Sequence, residues 1–401
     1  MTSASVPAIL GGQPLSPQPL NIARPHYPEF DAFADRLRAL LGSRLHGANY
    51  AREFEAQLAQ YMNVPMVTVC NCGESALLVM LRAAGIDSGE VIVPAYTFSG
   101  TPHAVHWCGA RPVFADIDPQ SLCLDPGDVE RRITEQTRAI LAVDVYGFAC
   151  DYDAFEALGK RYGLRILYDS APAFGSRVSG APIGGFGDAQ AFSFQAMKPF
   201  TTMAGGCVAS RDLDLVKRAW YLADFGQVQG VDCDEPGINA KMPEIMALIG
   251  IEQLRSFDAV VEHRNWTADR LCEGLAGIPG LTLPQPRANT TPVWAYVPVV
   301  VDPEAFGVDR NGLTTALARE HLHVRKYYEL PCHHMAAYAD QRETVLPHTE
   351  KVAYNVVALP IYNDMSVEQC DVFIEAIRRV HEHVDAVRAA LARDGGSPAV
   401  A

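Results

Sequence analysis

The sequence lacks the features that mark several common classes of protein. None of its ten cysteines forms a CxxC pair or a zinc-ligand spacing, so we predict no metal site and free thiols in a reducing compartment. Acidic residues outnumber basic ones, 47 to 33, and the net charge of −14 argues against a nucleic-acid or anionic-membrane surface. No apolar run approaches a membrane span, and no secretory signal pattern opens the chain. We therefore predict a cytoplasmic protein with no nucleic-acid or membrane partner.

A dinucleotide fingerprint is missing as well. The first strand-to-helix turn reads NCGES rather than GxGxxG, which argues against a nicotinamide-binding Rossmann site. Its residues Gly73, Glu74 and Ser75 open a predicted helix, where free amides could seat a single phosphate. A glycine at this place is equally compatible with an ordinary turn.

The hydrophobic pattern predicts an α/β fold. Short apolar runs, buried on both faces, alternate with helical segments, which is typical of a mostly parallel sheet covered on both sides. The predicted strands are Val67 to Cys70, Val91 to Pro94, Pro112 to Ala115, Ala139 to Val145, Arg165 to Tyr168 and Ala191 to Phe194. The first half is thus a doubly wound domain, whose ligands collect at the carboxyl ends of the strands.

The second half has a less regular pattern and predicts a smaller α+β domain. Its predicted elements are a long helical stretch over Lys241 to Cys272, strands over Val293 to Val301 and Val324 to Tyr328, and helices over Asn311 to Arg319 and Val367 to Leu391. We predict a flexible arm over residues 1–20, a large domain over 21–260, a small domain over 261–393 and a tail over 394–401.

Lys198 stands out in the stretch AFSFQAMKPFTTMAGGC. A buried strand delivers it into a loop between Met197 and Pro199, where partial desolvation would favour the neutral amine used in Schiff-base chemistry. The alternative is an ordinary loop lysine that extends into water.

Three further residues follow predicted strands at the same edge. Asp169 could pair with a protonated pyridine ring, or it could cap a turn. Phe98 could stack on a flat ring, or pack in the core. The Ser193 hydroxyl could bind a phosphate, or simply pack in the sheet.

The ordered segments NCGESAL, PAYTFSGT, VYG, YDSAPAFG, FSFQAMK and GINAKMPEIMALIG resemble the sugar aminotransferase family named for DegT, DnrJ and StrS. The resemblance runs from about Tyr50 to the LPIYNDMS stretch at 359–366. It implies a fold-type I enzyme dependent on pyridoxal 5'-phosphate. It also implies transfer of an amino group from L-glutamate to a keto group, C4 in the most similar branch, of a nucleotide-linked 6-deoxysugar.

The resemblance also assigns roles to residues. Lys198 matches the lysine that bonds to the cofactor and moves the proton, and Asp169 the acid paired with the ring nitrogen. Phe98 matches the aromatic residue over the ring, while Gly73, Glu74, Ser75 and Ser193 match the phosphate site. Asn239 matches an asparagine contributed by the neighbouring subunit, which implies a homodimer with shared sites.

Pro172 bears on the properties of the bound cofactor, and the segment from Arg325 to Tyr327 bears on the choice of substrate. Pro172 stands where the family usually has Gln or His beside the ring hydroxyl, so one hydrogen-bond donor is absent. Arg325, Lys326 and Tyr327 could bind a diphosphate or the glutamate carboxylate, or form the basic edge of a strand. A cyclitol ketone or another secondary-metabolite ketone as substrate, and a non-catalytic regulatory protein that binds the cofactor, stay open as alternatives.

Overall fold

The computed structural model describes residues 6–42, 49–228 and 232–394. A seven-stranded sheet organises the large domain. Its strands are β1 (Met66–Cys70), β2 (Glu90–Pro94), β3 (Arg111–Ala115), β4 (Thr137–Val143), β5 (Arg165–Asp169), β8 (Ala189–Ser193) and β9 (Gly206–Ser210). Their order is β1-β9-β8-β5-β4-β2-β3, and β9 alone among them runs antiparallel to its two neighbours.

Both faces of this sheet are buried. Val91 and Val93 of β2 belong to one hydrophobic cluster, whereas Ile92 between them belongs to the other. Because successive strand residues point to opposite faces, each cluster fills one side of the sheet. The expected doubly wound α/β fold is confirmed.

Helices connect and cover the strands of the large domain. They are α1 (Phe30–Gly42), α2 (Tyr50–Met62), α3 (Gly73–Ala83), α4 (Gly100–Trp107), α5 (Pro126–Arg132), α6 (Tyr152–Tyr162), α7 (Leu213–Ala223) and α8 (Glu244–Leu254). Aspartates 125, 151 and 212 cap α5, α6 and α7 by accepting hydrogen bonds from first-turn amides. Such caps satisfy N–H groups that have no partner within the helix.

The small domain packs helices on an antiparallel sheet of β12 (Leu281–Thr282), β14 (Tyr296–Val301) and β15 (Val356–Pro360). Its helices are α9 (Phe257–Leu275), α10 (Pro303–Phe306), α11 (Arg310–Arg319), α12 (Pro347–Asn355), α13 (Val367–Glu382) and α14 (Val384–Asp394). Short strands β6 (Arg177–Val178), β7 (Ala181–Pro182) and β13 (Thr290–Thr291) form another sheet, and β10 (Gln227–Val228) pairs with β11 (Asp232–Cys233).

The structure corrects three predicted elements. The stretch from Val367 to Leu391 is two helices, α13 and α14, because His383 between them leaves the helical conformation. The stretch from Lys241 to Cys272 is two helices, α8 and α9, because Ser256 leaves the helical conformation at the N-cap of α9. The segment from Val324 to Tyr328 makes a single bridge, Arg325 to Ala358, rather than a strand. Its Tyr327 carbonyl accepts from the hydroxyls of Tyr96 and Tyr146 instead of from a neighbouring strand.

The described part of the expected N-terminal arm lies against the small domain. The Glu320 carboxylate accepts hydrogen bonds from the amides of Ala8, at 2.7 Å, and Leu15, at 2.8 Å. Leu20 bridges to Leu322 in parallel. Residues 6–20 therefore differ from a loose arm, while residues 1–5 and the expected tail after Asp394 lie outside the described residues. The expected domain boundary at 260 falls within α9.

Two further observations concern the cysteines and the lengths of the helices. All ten cysteines are free thiols. Among the described residues, every helix is too short or too polar to cross a bilayer.

Candidate active site

A cavity of about 410 Å³ opens where the carboxyl ends of the parallel strands meet the small domain. Its walls include Asp169 at the end of β5, Ser193 at the end of β8 and Lys198 in the following loop. Asp169 pairs with Ala191 in register, so neighbouring strands set Asp169 and Ser193 side by side. The topology thus gathers at one cavity residues that are separate in sequence.

Lys198 is half-buried in a loop fixed at both ends. The Phe194 amide donates to the Gly205 carbonyl at 2.8 Å, and the Lys198 amide donates to the Gln195 carbonyl at 2.8 Å. Burial lowers the pKa of the Lys198 ammonium, and the charge of Asp169 opposes that shift. Desolvation therefore favours the neutral, nucleophilic amine at this position.

Asp169 is buried, with 5% of its surface exposed. Its carboxylate accepts from the Thr101 hydroxyl at 2.7 Å and from the Ala171 amide at 3.1 Å. Burial raises the pKa of the Asp169 carboxyl, while these bonds and the Lys198 charge oppose the rise. A protonated pyridine nitrogen in the cavity would give this carboxylate the cationic partner that buried charges need.

Another part of the cavity wall is suited to a small anion. Gly73 begins α3, and a Cβ added there would lie 2.6 Å from the Ser193 Cβ. Glycine thus leaves room between the Ser193 hydroxyl and the first helical N–H groups, which attract anions. Cys72 caps the helix, because its thiol accepts from the Ser75 amide at 3.4 Å.

The remaining walls of the cavity are mostly apolar or aromatic. Phe98 is 66% exposed although it lies on the cavity wall, which suits a ring that covers a flat ligand. Pro172 is another wall residue and offers no side-chain donor. A buried acid, an amine, an anion seat and an aromatic lid together fit pyridoxal 5'-phosphate.

The amino-acid sequence matches the DegT/DnrJ/EryC1/StrS aminotransferase family model over residues 30–378. The chain belongs to this family. A dTDP-3-amino-3,4,6-trideoxy-alpha-D-glucose transaminase of Streptomyces venezuelae is 35% identical over 355 residues, covering 88% of this chain and 90% of that protein. GDP-perosamine synthase of Vibrio cholerae is 32% identical, covering 80% of this chain and 88% of its own length.

The structure is similar to that of DesI, determined in the presence of its TDP-sugar product. The TM-score is 0.88 with 33% sequence identity, and the match covers 96% of this chain and all of DesI. The family and this likeness establish an aminotransferase of fold-type I. The expected family, fold class and enzyme class are confirmed.

Eight of the residues predicted for the site of this aminotransferase line the cavity: Gly73, Glu74, Phe98, Asp169, Pro172, Ser193, Lys198 and Tyr327. Four others do not. The Ser75 amide is engaged by Cys72, and Asn239 is exposed. Arg325 is exposed, and Lys326 contacts Asn311 and Glu329 instead.

The aminotransferase cavity also contains residues that the sequence did not single out. Thr101 binds Asp169, while Tyr146, Tyr296 and Tyr328 supply aromatic walls. Tyr146 could have been predicted from the sequence, since it is the tyrosine of the VYG segment used for the resemblance. Thr101 gave no signal, because its contact joins residues 68 positions apart.

Arg264 does not line the cavity, but its hydrogen bonds support one of the cavity walls. It is 3% exposed and donates to the carbonyls of Val293, Trp294, Ala295 and Ile361 and to Asn363. Burial lowers its pKa to about 9. These bonds hold the irregular segment that carries Ala295 and Tyr296 into the cavity.

We expect Gly73→Ala to lower both thermal stability and cofactor retention. The added Cβ would meet Ser193 Cβ at 2.6 Å and Oγ at 2.9 Å, and overpacking of this kind costs about 1–3 kcal/mol. Thermal unfolding and the pyridoxal phosphate retained after gel filtration measure the two effects. Gly42→Ala is the control, because no heavy atom of residues 6–42, 49–228 and 232–394 lies within 4 Å of its added Cβ. Wild-type values for both Gly73→Ala measurements would contradict this account of the anion seat.

Proposed function

We propose that this aminotransferase moves an amino group from L-glutamate to the keto group of a nucleotide-linked 6-deoxysugar, at C4. The observation that carries the proposal is the convergence of Lys198, Asp169 and a possible anion seat on one cavity. When bound, pyridoxal 5'-phosphate supplies an electron sink that makes the α-proton of an amino acid removable.

The residues of the cavity would hold the cofactor and move the proton. The Lys198 amine, whose neutral form burial favours, would hold the cofactor through its carbonyl carbon and would move a proton between the α-carbon of the amino acid and the cofactor. The Asp169 carboxylate, oriented by Thr101, would keep a proton on the ring nitrogen. Phe98 would cover the ring, while Ser193 and the start of α3 would hold the phosphate.

The substrate side of the proposal rests on relatives and on residue chemistry. The relatives named above make or carry amino sugars linked to dTDP, TDP or GDP. The VRKYYELP segment resembles the C4-aminating branch, and Tyr327 reaches the cavity. Arg325 makes no side-chain hydrogen bond or ion pair with the described residues, so its guanidinium is available for a diphosphate. The free thiols support a cytoplasmic location.

A panel of acceptors tests the substrate. Purified protein is supplied with pyridoxal phosphate, L-glutamate and nucleotide-linked 3-keto and 4-keto sugars, with a cyclitol ketone as the comparison, and 2-oxoglutarate release is measured. We expect the 4-keto sugars to be turned over at least about tenfold faster than the 3-keto isomers, because a misplaced ketone loses alignment with the reacting amine. Preference for the 3-keto sugars would place the amino transfer at C3 instead of C4. Turnover of the cyclitol ketone alone would overturn the assignment of a sugar substrate.

We further propose a homodimer in which Asn239 completes the partner's phosphate site. Asn239 is exposed and is absent from the walls of its own cavity, although its carbonyl accepts from Asn71 at 3.1 Å. Ile238, which precedes Asn239, is 39% exposed, and its carbonyl accepts from the amide of Phe225, which is 44% exposed. An exposed polar residue among apolar ones suits a subunit contact.

Complementation between two inactive variants tests this sharing. Lys198→Ala and Asn239→Ala are each expected to lose most activity, but a mixed dimer keeps one site with both native residues. Equal mixing after subunit exchange should restore activity to about a quarter of wild type, since half the dimers are mixed and half their sites intact. No recovery in dimers shown by mass spectrometry to have exchanged would assign Asn239 to its own subunit.

A further inference from the structure

A second group of chemically reactive side chains lies outside the aminotransferase cavity. The turn Cys332–His334 packs against α12, which carries Glu350. Among the residues that the structure describes, His333, His334 and Glu350 each offer one ligand atom, and these atoms lie within 4.8 Å of one another. None of the three lines the cavity.

His333 is the unusual member of this cluster. It is fully buried, yet neither ring nitrogen has a hydrogen-bond partner among the described residues. Buried polar groups are nearly always paired, because an unpaired one loses its hydration without compensation. The ring therefore keeps its capacity to ligate an ion.

One pair of these atoms lies at the spacing of two ligands of a single ion. His333 Nε2 lies 3.5 Å from Glu350 Oε1, too long for a hydrogen bond. Two ligands held tetrahedrally at zinc distances are about 3.4 Å apart. His334 Nδ1 lies 2.7 Å from the Tyr354 hydroxyl, which orients the ring and leaves Nε2 free. Ligating histidines regularly have an oxygen atom hydrogen-bonded to the ring nitrogen that does not bind the metal.

The local charge also favours a cation. Three titratable groups interact electrostatically with His333: His334, Glu350 and Asp116. Two of them are carboxylates, and Asp116 accepts from the His348 and Thr349 amides at the start of α12. Glu350 keeps 36% of its side chain exposed, which provides an entry path from solvent.

We propose that His333, His334 and Glu350 bind one divalent transition-metal ion, Zn²⁺ by the chemistry of its ligands, with a fourth position open to water. Two imidazoles and a carboxylate are a donor set that zinc accepts. The ion would tie the segment after Tyr328 to α12. The same segment is bonded to the sheet, since the Cys332 amide donates to the Ala95 carbonyl at 2.8 Å. The sequence predicted no metal site, because these ligands come from two segments without a recognisable spacing.

Metal titration of untagged, chelator-treated holoenzyme tests the proposal. Zn²⁺ affinity is measured by competition with a chromophoric indicator, and Co²⁺ is added separately to record its visible d–d absorption. We expect one ion per chain, a Co²⁺ spectrum of low coordination number and a rise in melting temperature with Zn²⁺. His334→Gln and Glu350→Gln should each weaken binding at least about tenfold and remove the Co²⁺ band.

Two controls separate this site from others. His106→Gln removes an exposed histidine of α4, and Cys233→Ser removes the exposed thiol; both should keep wild-type affinity. The proposal is overturned if wild type binds less than one ion per chain, if His334→Gln and Glu350→Gln bind as wild type does, or if Cys233→Ser abolishes binding. Circular dichroism of each variant verifies its folding, and none of these measurements depends on transaminase activity.

Discussion

Lys198→Ala is expected to lower the transamination rate by about three orders of magnitude or more. In the proposed function, the change removes both the amine that would hold the cofactor and the base that would move the proton, and a positioned base alone is worth about 10²–10⁴-fold. The visible absorbance that reports the lysine–cofactor bond should disappear as well. Steady-state 2-oxoglutarate release and the absorbance spectrum of the reconstituted protein measure these two effects.

A matched lysine shows whether the effect belongs to this position. Lys160 lies on α6 with 81% of its side chain exposed, so Lys160→Ala should keep wild-type rate and colour. Added methylamine should partly restore the rate of Lys198→Ala, because a free amine can replace the missing proton carrier. A Lys198→Ala protein that transaminates at the wild-type rate would exclude this lysine from the chemistry.

Asp169→Asn should lower turnover by about 10²–10⁴-fold with little loss of stability. Asparagine has nearly the same shape and can still accept from Thr101, but it carries no negative charge. In the proposed function, the ring nitrogen of the bound cofactor would then lack the anionic partner that keeps it protonated, and the ring would be a weaker electron sink. The rate of the first half-reaction with L-glutamate, followed by stopped-flow absorbance, measures the loss directly.

The control for this carboxylate is Asp153→Asn, an exposed aspartate in the first turn of α6. It should match wild type in every assay. Equal half-reaction rates for Asp169→Asn and wild type would show that the ring nitrogen does not depend on this residue. Asp169→Ala should lose the Thr101 contact too, and should therefore melt at a lower temperature than Asp169→Asn.

The sheet and much of the cavity could be predicted from the sequence for a physical reason. Apolar runs buried on both faces fix a parallel sheet, and parallel strands end at one edge. Asp169, Ser193 and Lys198 follow such runs, so their meeting was predictable from topology alone. Family resemblance added their roles, which no periodicity encodes.

What the sequence did not reveal depends on contacts between distant segments. Thr101 meets Asp169 across 68 residues, and Arg264 holds carbonyls of a segment about 30 residues further along. The segment Val324 to Tyr328 has a strand pattern, but the hydroxyls of Tyr96 and Tyr146 capture the Tyr327 carbonyl. A local strand propensity does not produce a strand where a tertiary hydrogen bond occupies the backbone carbonyl that strand pairing would use.

The antiparallel strand β9 determines how firmly the lysine is held. Because β8 and β9 are hydrogen-bonded neighbours, the loop between them closes a hairpin, with Ser193 opposite Gly206 at its base. Ladder hydrogen bonds in the interior of the sheet therefore anchor both ends of the loop that carries Lys198. The position of this lysine depends on the pairing of two central strands rather than on contacts of the loop alone.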